Sequence, residues 1–534
     1  MKSVFISLCV AFLPCVSSLG MNPYLPLWEH IPDGEPYVFE DPDCPGKKRV
    51  YIYGSHDMLR DKYCGTDLVV WSAPVDSLES WRYDGVIFES KRDANGNLLH
   101  EDGRGDVLYA PDVALRILPD GKKEYYLYPN NQEGGRNGMA ARSDRPDGPF
   151  EVINWNPENG RETIGLLGFD PAVFVDEDGR VYGYWGWGKS YAAELDPATM
   201  STLKPGCEVV EDMVTPLEAE GDGHFYEASS IRKIGDKYVF VYSRMSPEGE
   251  FGLPQSNYTL AYAYGDNPLG PYTYGGVIID GRGRDTDACG NSMATATPNG
   301  NTHGGIVEIN GRWWVFYHRQ TGLDEYARQA MVAPIEVAVT PGAGGKVVIT
   351  EGEYTSEGFE TSGLDPFRRY PAAIASHFTG PTAAYQTYPA MNYSGPYFEP
   401  SYVENHDIAD PYREDINVNK VVNNTAGSIL GYKYFNFDGF EGCESVSLVL
   451  DMIPESVGGK IAVYTSAPWK GDAMPVGEYS LPSGLDAGKS EKVVIPLHNI
   501  EKLRGKHPVY LTFDSSEKGK SICSLTHIQF KCGN

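Results

Sequence analysis

Lys237-Tyr238-Val239-Phe240-Val241-Tyr242-Ser243 is the stretch that decides the fold. Aromatic and β-branched residues bounded by the Gly235-Asp236 turn predict a strand. Runs of the same kind recur at Tyr51-Ile-Tyr-Gly-Ser55, Tyr125-Tyr-Leu-Tyr-Pro129, Val181-Tyr-Gly-Tyr-Trp185 and Trp313-Trp-Val-Phe-Tyr317. Several lead into a second strand, such as Leu68-Val-Val-Trp-Ser72 or Thr259-Leu-Ala-Tyr-Ala263, and some then into a turn such as Asp147-Gly-Pro-Phe150. Five repeats of a small antiparallel sheet predict an all-β protein built on a five-bladed β-propeller. Radial repetition also shields the strand edges that an open sheet would leave bare.

Just upstream of the deciding strand lies Gly221-Asp222-Gly223-His224-Phe225-Tyr226-Glu227-Ala228-Ser229-Ser230-Ile231. It places Glu227, between aromatics and small residues, at the mouth of another strand. Comparable positions precede the first strand of the other repeats: Asp33, Asp112, Asp170 and His303. Innermost propeller strands start near the axis, so these loops converge at one end and their side chains ring one pocket. Each acid taken singly is explained by the preference of Asp and Asn for turns. Five ionisable residues in register are harder to explain that way. Clustered carboxylates push each other's pKa values apart. That suits glycoside hydrolysis, where one carboxyl donates a proton and another, ionised, activates water. In an inverting enzyme the two sit about 6.5–9.5 Å apart, with water between them.

These motifs together resemble glycoside hydrolase family 43 over roughly residues 22–340. Asn22-Pro-Tyr-Leu-Pro26 resembles the family's opening, and Asp33-Gly-Glu-Pro-Tyr-Val-Phe39 with Tyr51-Ile-Tyr-Gly-Ser-His-Asp57 its general-base segment. The resemblance puts the base on Asp33, with Glu35-Pro36 as a rival alignment. Gly168-Phe-Asp-Pro-Ala-Val-Phe-Val175 is similar to the segment whose Asp tunes the acid, here Asp170. His224-Phe-Tyr-Glu-Ala-Ser-Ser230 is similar to the general-acid segment, giving Glu227. Tyr109-Ala-Pro-Asp-Val113 resembles a motif that shapes the pocket through Asp112. The resemblance further implies substrate contacts for Phe225, for His303 in Thr302-His303-Gly304-Gly305 and for Arg328 in Ala327-Arg328-Gln329. Arg319 is an alternative structural ion-pair partner. Trp185 and Trp187 read either as a sugar platform or as buried packing. No cofactor is required; His303 is the candidate ligand of a structural calcium on the axis, although calcium prefers oxygen ligands. Asp176-Glu-Asp-Gly179 reads as a hairpin turn rather than a site.

The 534 residues exceed one core, so a second domain is expected. The proposed division is a signal peptide at 1–20, a catalytic propeller at 21–345, a linker at 346–372 and a β-sandwich at 373–534. The sandwich reading rests on runs such as Ser445-Val-Ser-Leu-Val-Leu-Asp-Met452 and suits a jelly roll. Gly427-Ser-Ile-Leu-Gly-Tyr-Lys-Tyr-Phe-Asn-Phe437 resembles carbohydrate-binding module family 6. Lys2 followed by the apolar run Val4 to Val16 predicts export, to the periplasm or outside the cell. A lipoprotein anchor at Cys15 ranks lower because Pro14 makes a poor lipobox. A formal net charge of −28 excludes nucleic acid and anionic membranes as natural partners, and no later segment spans a bilayer. Of nine cysteines two fall in the signal; Cys523–Cys532 and Cys44–Cys64 are the pairs considered.

The expectation is therefore a monomeric, exported, inverting exo-α-L-arabinofuranosidase acting on arabinose- or xylose-containing plant cell-wall glycans. The alternatives are β-xylosidase, β-galactosidase, or a sugar-binding propeller without catalysis.

Overall fold

Alternation along the strands explains how the sheets stack. The protein, described here from a computed structural model, is seen at residues 20–59, 61–215, 224–383, 385–387, 390–392, 394–400, 419–455, 457–485 and 487–533; the candidate signal peptide lies outside them up to residue 19. Among these residues there is no α-helix, and none is long and apolar enough to cross a membrane. In the strand Lys48–Tyr53, Val50 and Ile52 point to one face and Tyr51 and Tyr53 to the other, all fully buried. Tyr238, Phe240 and Tyr242 likewise face away from Val239 and Val241. A strand apolar on both faces belongs to a sheet covered on both sides.

The covers are neighbouring sheets. The first contains Glu35–Glu40, Lys48–Tyr53, Asp67–Pro74 and Arg82–Glu89 in sequential antiparallel order. The second runs from Asp112–Ile117 to Glu151–Val152 and the third from Ala172–Val175 to Val210–Glu211. The fourth runs from Phe225–Ile234 to Tyr272–Asp280, with Val214–Thr215 added in parallel at its outer edge. Ile306–Ile309, Arg312–Arg319 and Gln329–Ile335 make the fifth. Apolar clusters lie between first and second, second and third, third and fourth, fourth and fifth, and fifth and first sheets.

The leading strands also touch in that cyclic order. Tyr37 donates to Asp112 Oδ1 (2.7 Å), the Val173 amide donates to Asp112 Oδ2 (2.6 Å), and Arg232 Nε donates to the Ile306 carbonyl (2.8 Å). The N-terminal segment ties into the fifth sheet: Asn22 Nδ2 donates to the Val332 carbonyl (2.7 Å), and Asn22 Oδ1 accepts the Val332 amide (3.0 Å). Asp176–Gly179 forms the expected turn, with Gly179 at φ 81° donating to the Asp176 carbonyl.

Residues 346–372 carry the strand Val347–Ile349, paired with Val337–Val339, and Phe359, whose ring packs on Tyr24, Trp81, Trp314 and Phe316. Beyond them lie two further sheets. One has six strands in the order Tyr397–Glu399, Lys420–Thr425, Ser521–Gly533, Ser445–Pro454 and Glu491–Leu497, with Tyr370–Pro371 paired to Ser521–Gly533. The other has His377–Thr379, Ile429–Asn436, Lys506–Asp514, Gly459–Tyr464 and Gly477–Leu481. Leu448, Leu450 and Ile528 of one sheet meet Leu430, Val509 and Leu511 of the other in a cluster that also takes in Val315 and Tyr317 of the fifth sheet. The two halves of the chain thus share a core.

Two cysteine pairings are corrected. Cys443 bonds Cys532 with Cα atoms 5.4 Å apart, while Cys523, Cys44 and Cys64 are free. Cys523 and Cys532 both lie on the strand Ser521–Gly533, nine residues apart. At about 3.3 Å per residue that is roughly 30 Å, far beyond disulfide reach. Among the described residues Arg319 has no ion-pair partner either. It is fully buried, donating to Gln329 Oε1 and to the carbonyls of Ala373 (2.6 Å) and Ala375 (3.1 Å).

Candidate active site

Asp33, Asp170 and His303 lie just before leading strands, and Glu227 lies within one. Asp33 has φ 61° and Asp170 φ 49°, the left-handed region that Asp tolerates better than most residues. Glu227 is followed by Ala228 at φ 69°, and the pairing register shifts on both sides of Glu227. Such a bulge re-aims a side chain out of the pleat. Strain of this kind persists where surrounding contacts over-determine it.

Asp33, Asp170, Glu227, His303 and Arg328 all line one cavity of about 790 Å³. Asp112 and Phe225, expected as substrate contacts, are not among the residues lining it. Asp112 is itself the first residue of its strand and is spent on Tyr37 and the Val173 amide. Phe225 stacks on Phe240 and lies against Tyr242 between the third and fourth sheets. The rival base, Glu35, is also off the cavity, held by Arg232 (2.5 Å) and Ser230 (2.9 Å). Of the two tryptophans, Trp185 is buried packing. Trp187, 60% exposed, lines the cavity beside Phe169 and Tyr226, with ring centroids 4.9 and 6.3 Å away.

The two key carboxyls have opposite proton affinities. Burial raises Asp33, but the charges of Arg328 and His303 and the Ser55 hydroxyl outweigh it and hold Asp33 below its ordinary range. Arg328 Nη1 reaches Asp33 Oδ1 at 3.0 Å and Oδ2 at 3.2 Å, and Ser55 Oγ donates to Oδ2 at 2.6 Å. The remaining Arg328 donors meet both oxygens of Asp57 at 2.8 and 2.9 Å, which fixes the guanidinium plane. The Asp33 amide donates to His318 Nδ1 (3.2 Å), whose Nε2–H donates to the Asn301 carbonyl (2.8 Å). That pair sets the tautomer, and burial pushes His318 down to about 3, so it stays neutral.

Glu227 is pushed well above its ordinary value, first by burial and then by the charges of Asp170 and Asp33. Asp170 is also raised by burial, but His303 and the Ala228 amide (3.1 Å) oppose the rise. Asn130 Nδ2 donates to its other oxygen at 2.8 Å. His303 Nδ1 lies 3.5 Å from Asp170 Oδ2, and although burial lowers its pKa, Asp170 brings it up to about 9. Asp170 therefore leaves the proton to Glu227. A cationic imidazole paired with one carboxylate does not make the oxygen cage that calcium takes. Among the described residues no group of three His, Cys, Asp or Glu donors forms around His303. The residues do not fit a calcium site there, and no step below uses one.

Sequence reasoning missed Ser55, Asp57, His318 and Asn130. Ser55 and Asp57 stand in the quoted Tyr51–Asp57 motif, and their spacing from the strand end was the available signal. His318 and Asn130 carried none, because only the folded chain brings them to Asp33 and Asp170.

A sequence model of the family described as "Glycosyl hydrolases family 43" matches residues 39–339. The "Xylosidase/arabinosidase" of Thermoclostridium stercorarium is 34% identical over 492 residues, covering 87% of this chain and 94% of that protein. The "Arabinoxylan arabinofuranohydrolase" of Paenibacillus polymyxa is 25% identical over 540 aligned residues, covering 96% and 73%. Among solved structures, a family 43 arabinoxylan arabinofuranohydrolase from Bacillus subtilis aligns over 96% of this chain and 97% of its own, with 20% identity and a TM-score of 0.43.

Proposed function

The chain belongs to glycosyl hydrolases family 43 and is a glycosidase, and from that premise we propose an inverting, exo-acting α-L-arabinofuranosidase of arabinose- or xylose-containing plant cell-wall glycans. β-Xylosidase is the second reading, favoured by the "Xylosidase/arabinosidase" name of the Thermoclostridium stercorarium relative. β-Galactosidase has no comparable support. The five sheets are read as blades of one propeller, which the cyclic packing of their leading strands supports. The last two sheets are read as a jelly-roll sandwich of the carbohydrate-binding-module kind. Export to the periplasm or beyond is supported by the N-terminal Lys2 and apolar run and by the Cys443–Cys532 bond, since disulfides persist in oxidising compartments.

One observation carries the catalytic reading: a carboxyl held ionised and a carboxyl held protonated open into the same cavity. Glu227 gives its proton to the glycosidic oxygen as the C–O bond breaks. Asp33 takes a proton from the water whose oxygen bonds the anomeric carbon from the opposite side. After one turnover Asp33 holds a proton and Glu227 lacks one, and exchange with solvent restores both. Asp170 keeps Glu227 protonated at neutral pH, while Arg328 and Ser55 keep Asp33 ionised. Glu227 borders the leaving group, so the adjacent Tyr226, with Phe169 and Trp187, forms the wall for the departing sugar.

The test is release of nitrophenol from the arabinofuranoside, xyloside and galactoside, with the first-formed anomer followed by proton NMR. The reading expects arabinofuranoside to be cleaved fastest, with inversion, and loss of about 10²–10⁴ in rate for Asp33→Asn and Glu227→Gln with the fold intact. Full activity in either variant, or a retained anomer, rejects it.

A further inference from the structure

A fourth carboxyl lines the cavity without a part in the proton transfer above. Glu325 is only 4% exposed, yet among the described residues no hydrogen bond or ion pair meets its carboxyl group. Burying a carboxyl without a partner is costly, and native proteins rarely leave one so. Burial pushes its pKa up to about 7, opposed only by the charge of Arg328. Its surroundings are otherwise built with care. Tyr326 meets Tyr63 edge to face at 5.2 Å, and the Arg328 guanidinium lies 4.9 Å over the Tyr63 ring. The loop is anchored at its start, where the Thr321 carbonyl accepts the Phe398 amide (2.9 Å) from the second half of the chain. A pinned loop that presents an unpartnered acid to a cavity leaves that acid's partner to be supplied by what enters.

We propose that Glu325 is a substrate-binding residue that accepts a hydrogen bond from a hydroxyl of the sugar held on the Asp33–Arg328 side of the cavity. The side follows from sequence proximity to Arg328 and from the division of labour at the site. Residues next to Glu227 meet the leaving group, so those next to the base's partner meet the sugar being released. The proposal rests on the hydrolase reading for that division. A site built to bond a hydroxyl discriminates strongly against an analogue lacking it, because the buried acceptor is then left unpaired. Glu325 would thus set which sugar is accepted rather than how fast the bond breaks.

The experiment measures kcat and KM of wild type, Glu325→Ala and Glu325→Gln on the best-cleaved nitrophenyl glycoside and on its singly deoxygenated analogues. Arabinose and xylose binding is measured alongside by calorimetry, which needs no turnover. Glu325→Ala is expected to raise KM by about 10- to 100-fold with a smaller change in kcat, and Glu325→Gln to recover part of the loss. One deoxy analogue should be poor for wild type by a similar factor and no worse than its parent for Glu325→Ala. The melting temperature of Glu325→Ala should match wild type, because no described residue bonds the carboxyl. Unchanged KM and sugar binding, equal penalties for every analogue in both proteins, or a large fall in melting temperature would each overturn the proposal. Wild type that cleaves no glycoside overturns the hydrolase reading instead, and calorimetry then decides Glu325 by itself.

Discussion

Ser55→Ala isolates what keeps the base ionised. The Ser55 hydroxyl donates to Asp33 Oδ2 at 2.6 Å, deep in the protein, and removing one oxygen leaves no large cavity. A hydrogen bond to a charged acceptor contributes about 1.5–3 kcal/mol, and that is what the bond gives to the ionised form of Asp33. Arg328 and the cationic His303 remain, and each lowers Asp33 more than Ser55 does, so the lower figure is expected. The sign is fixed: a bond that favours the ionised form is lost, so the pKa of Asp33 rises. The assay is kcat/KM against pH with a nitrophenyl glycoside. The acid limb, which reports the base of the free enzyme, should move to higher pH, while the rate near neutrality changes little because Asp33 is still ionised there. An acid limb that stays put, or moves to lower pH, would refute the assignment of Asp33 as base or the role given to Ser55.

Two further outcomes concern stability. Burial lowers the His56 pKa, but hydrogen bonds with Asp67 (2.8 Å) and Glu29 (3.2 Å) more than reverse this and bring it to about 10. A folded pKa above the unfolded value gives stability that is full below about pH 6.5 and lost as pH rises through about 10. His56→Gln should cost about 5 kcal/mol at pH 6 and flatten the alkaline fall in melting temperature; a fall as steep as that of wild type contradicts the pairing. The Cys443–Cys532 bond closes a span of 89 residues. Its loss in Cys443→Ser should cost about 4–5 kcal/mol, read by calorimetry with and without reductant; no difference would mean the bond does not form.

The repeats were legible because each strand carries its environment in its alternation. Tyr51 and Tyr53 against Val50 and Ile52 require a cover on each face, and with no long amphipathic helical runs in the sequence, neighbouring sheets are what can provide it. Asp33, Asp170, Glu227, His303 and Arg328 were legible through their motifs. Asp112 and Phe225 were placed at the cavity because neighbouring residues in a strand look alike in sequence. One residue's difference in position turns a side chain from cavity to core. The disulfide was misread because spacing cannot show that two cysteines share one extended strand. Glu325 and His318 escaped notice since their meaning lies in what surrounds them in space. The shared core of the two halves was likewise hidden: Arg319 looked like a charge in need of an acid, but folding gives it the carbonyls of Ala373 and Ala375.

The opposite charge states of Asp33 and Glu227 can be observed directly by carbon-13 NMR of labelled side-chain carboxyls, with Asp33→Asn and Glu227→Gln identifying the two resonances. At pH 6 the Asp33 signal should sit at the ionised shift and the Glu227 signal at the protonated one. Both signals at the ionised shift, or the two reversed, would contradict the account.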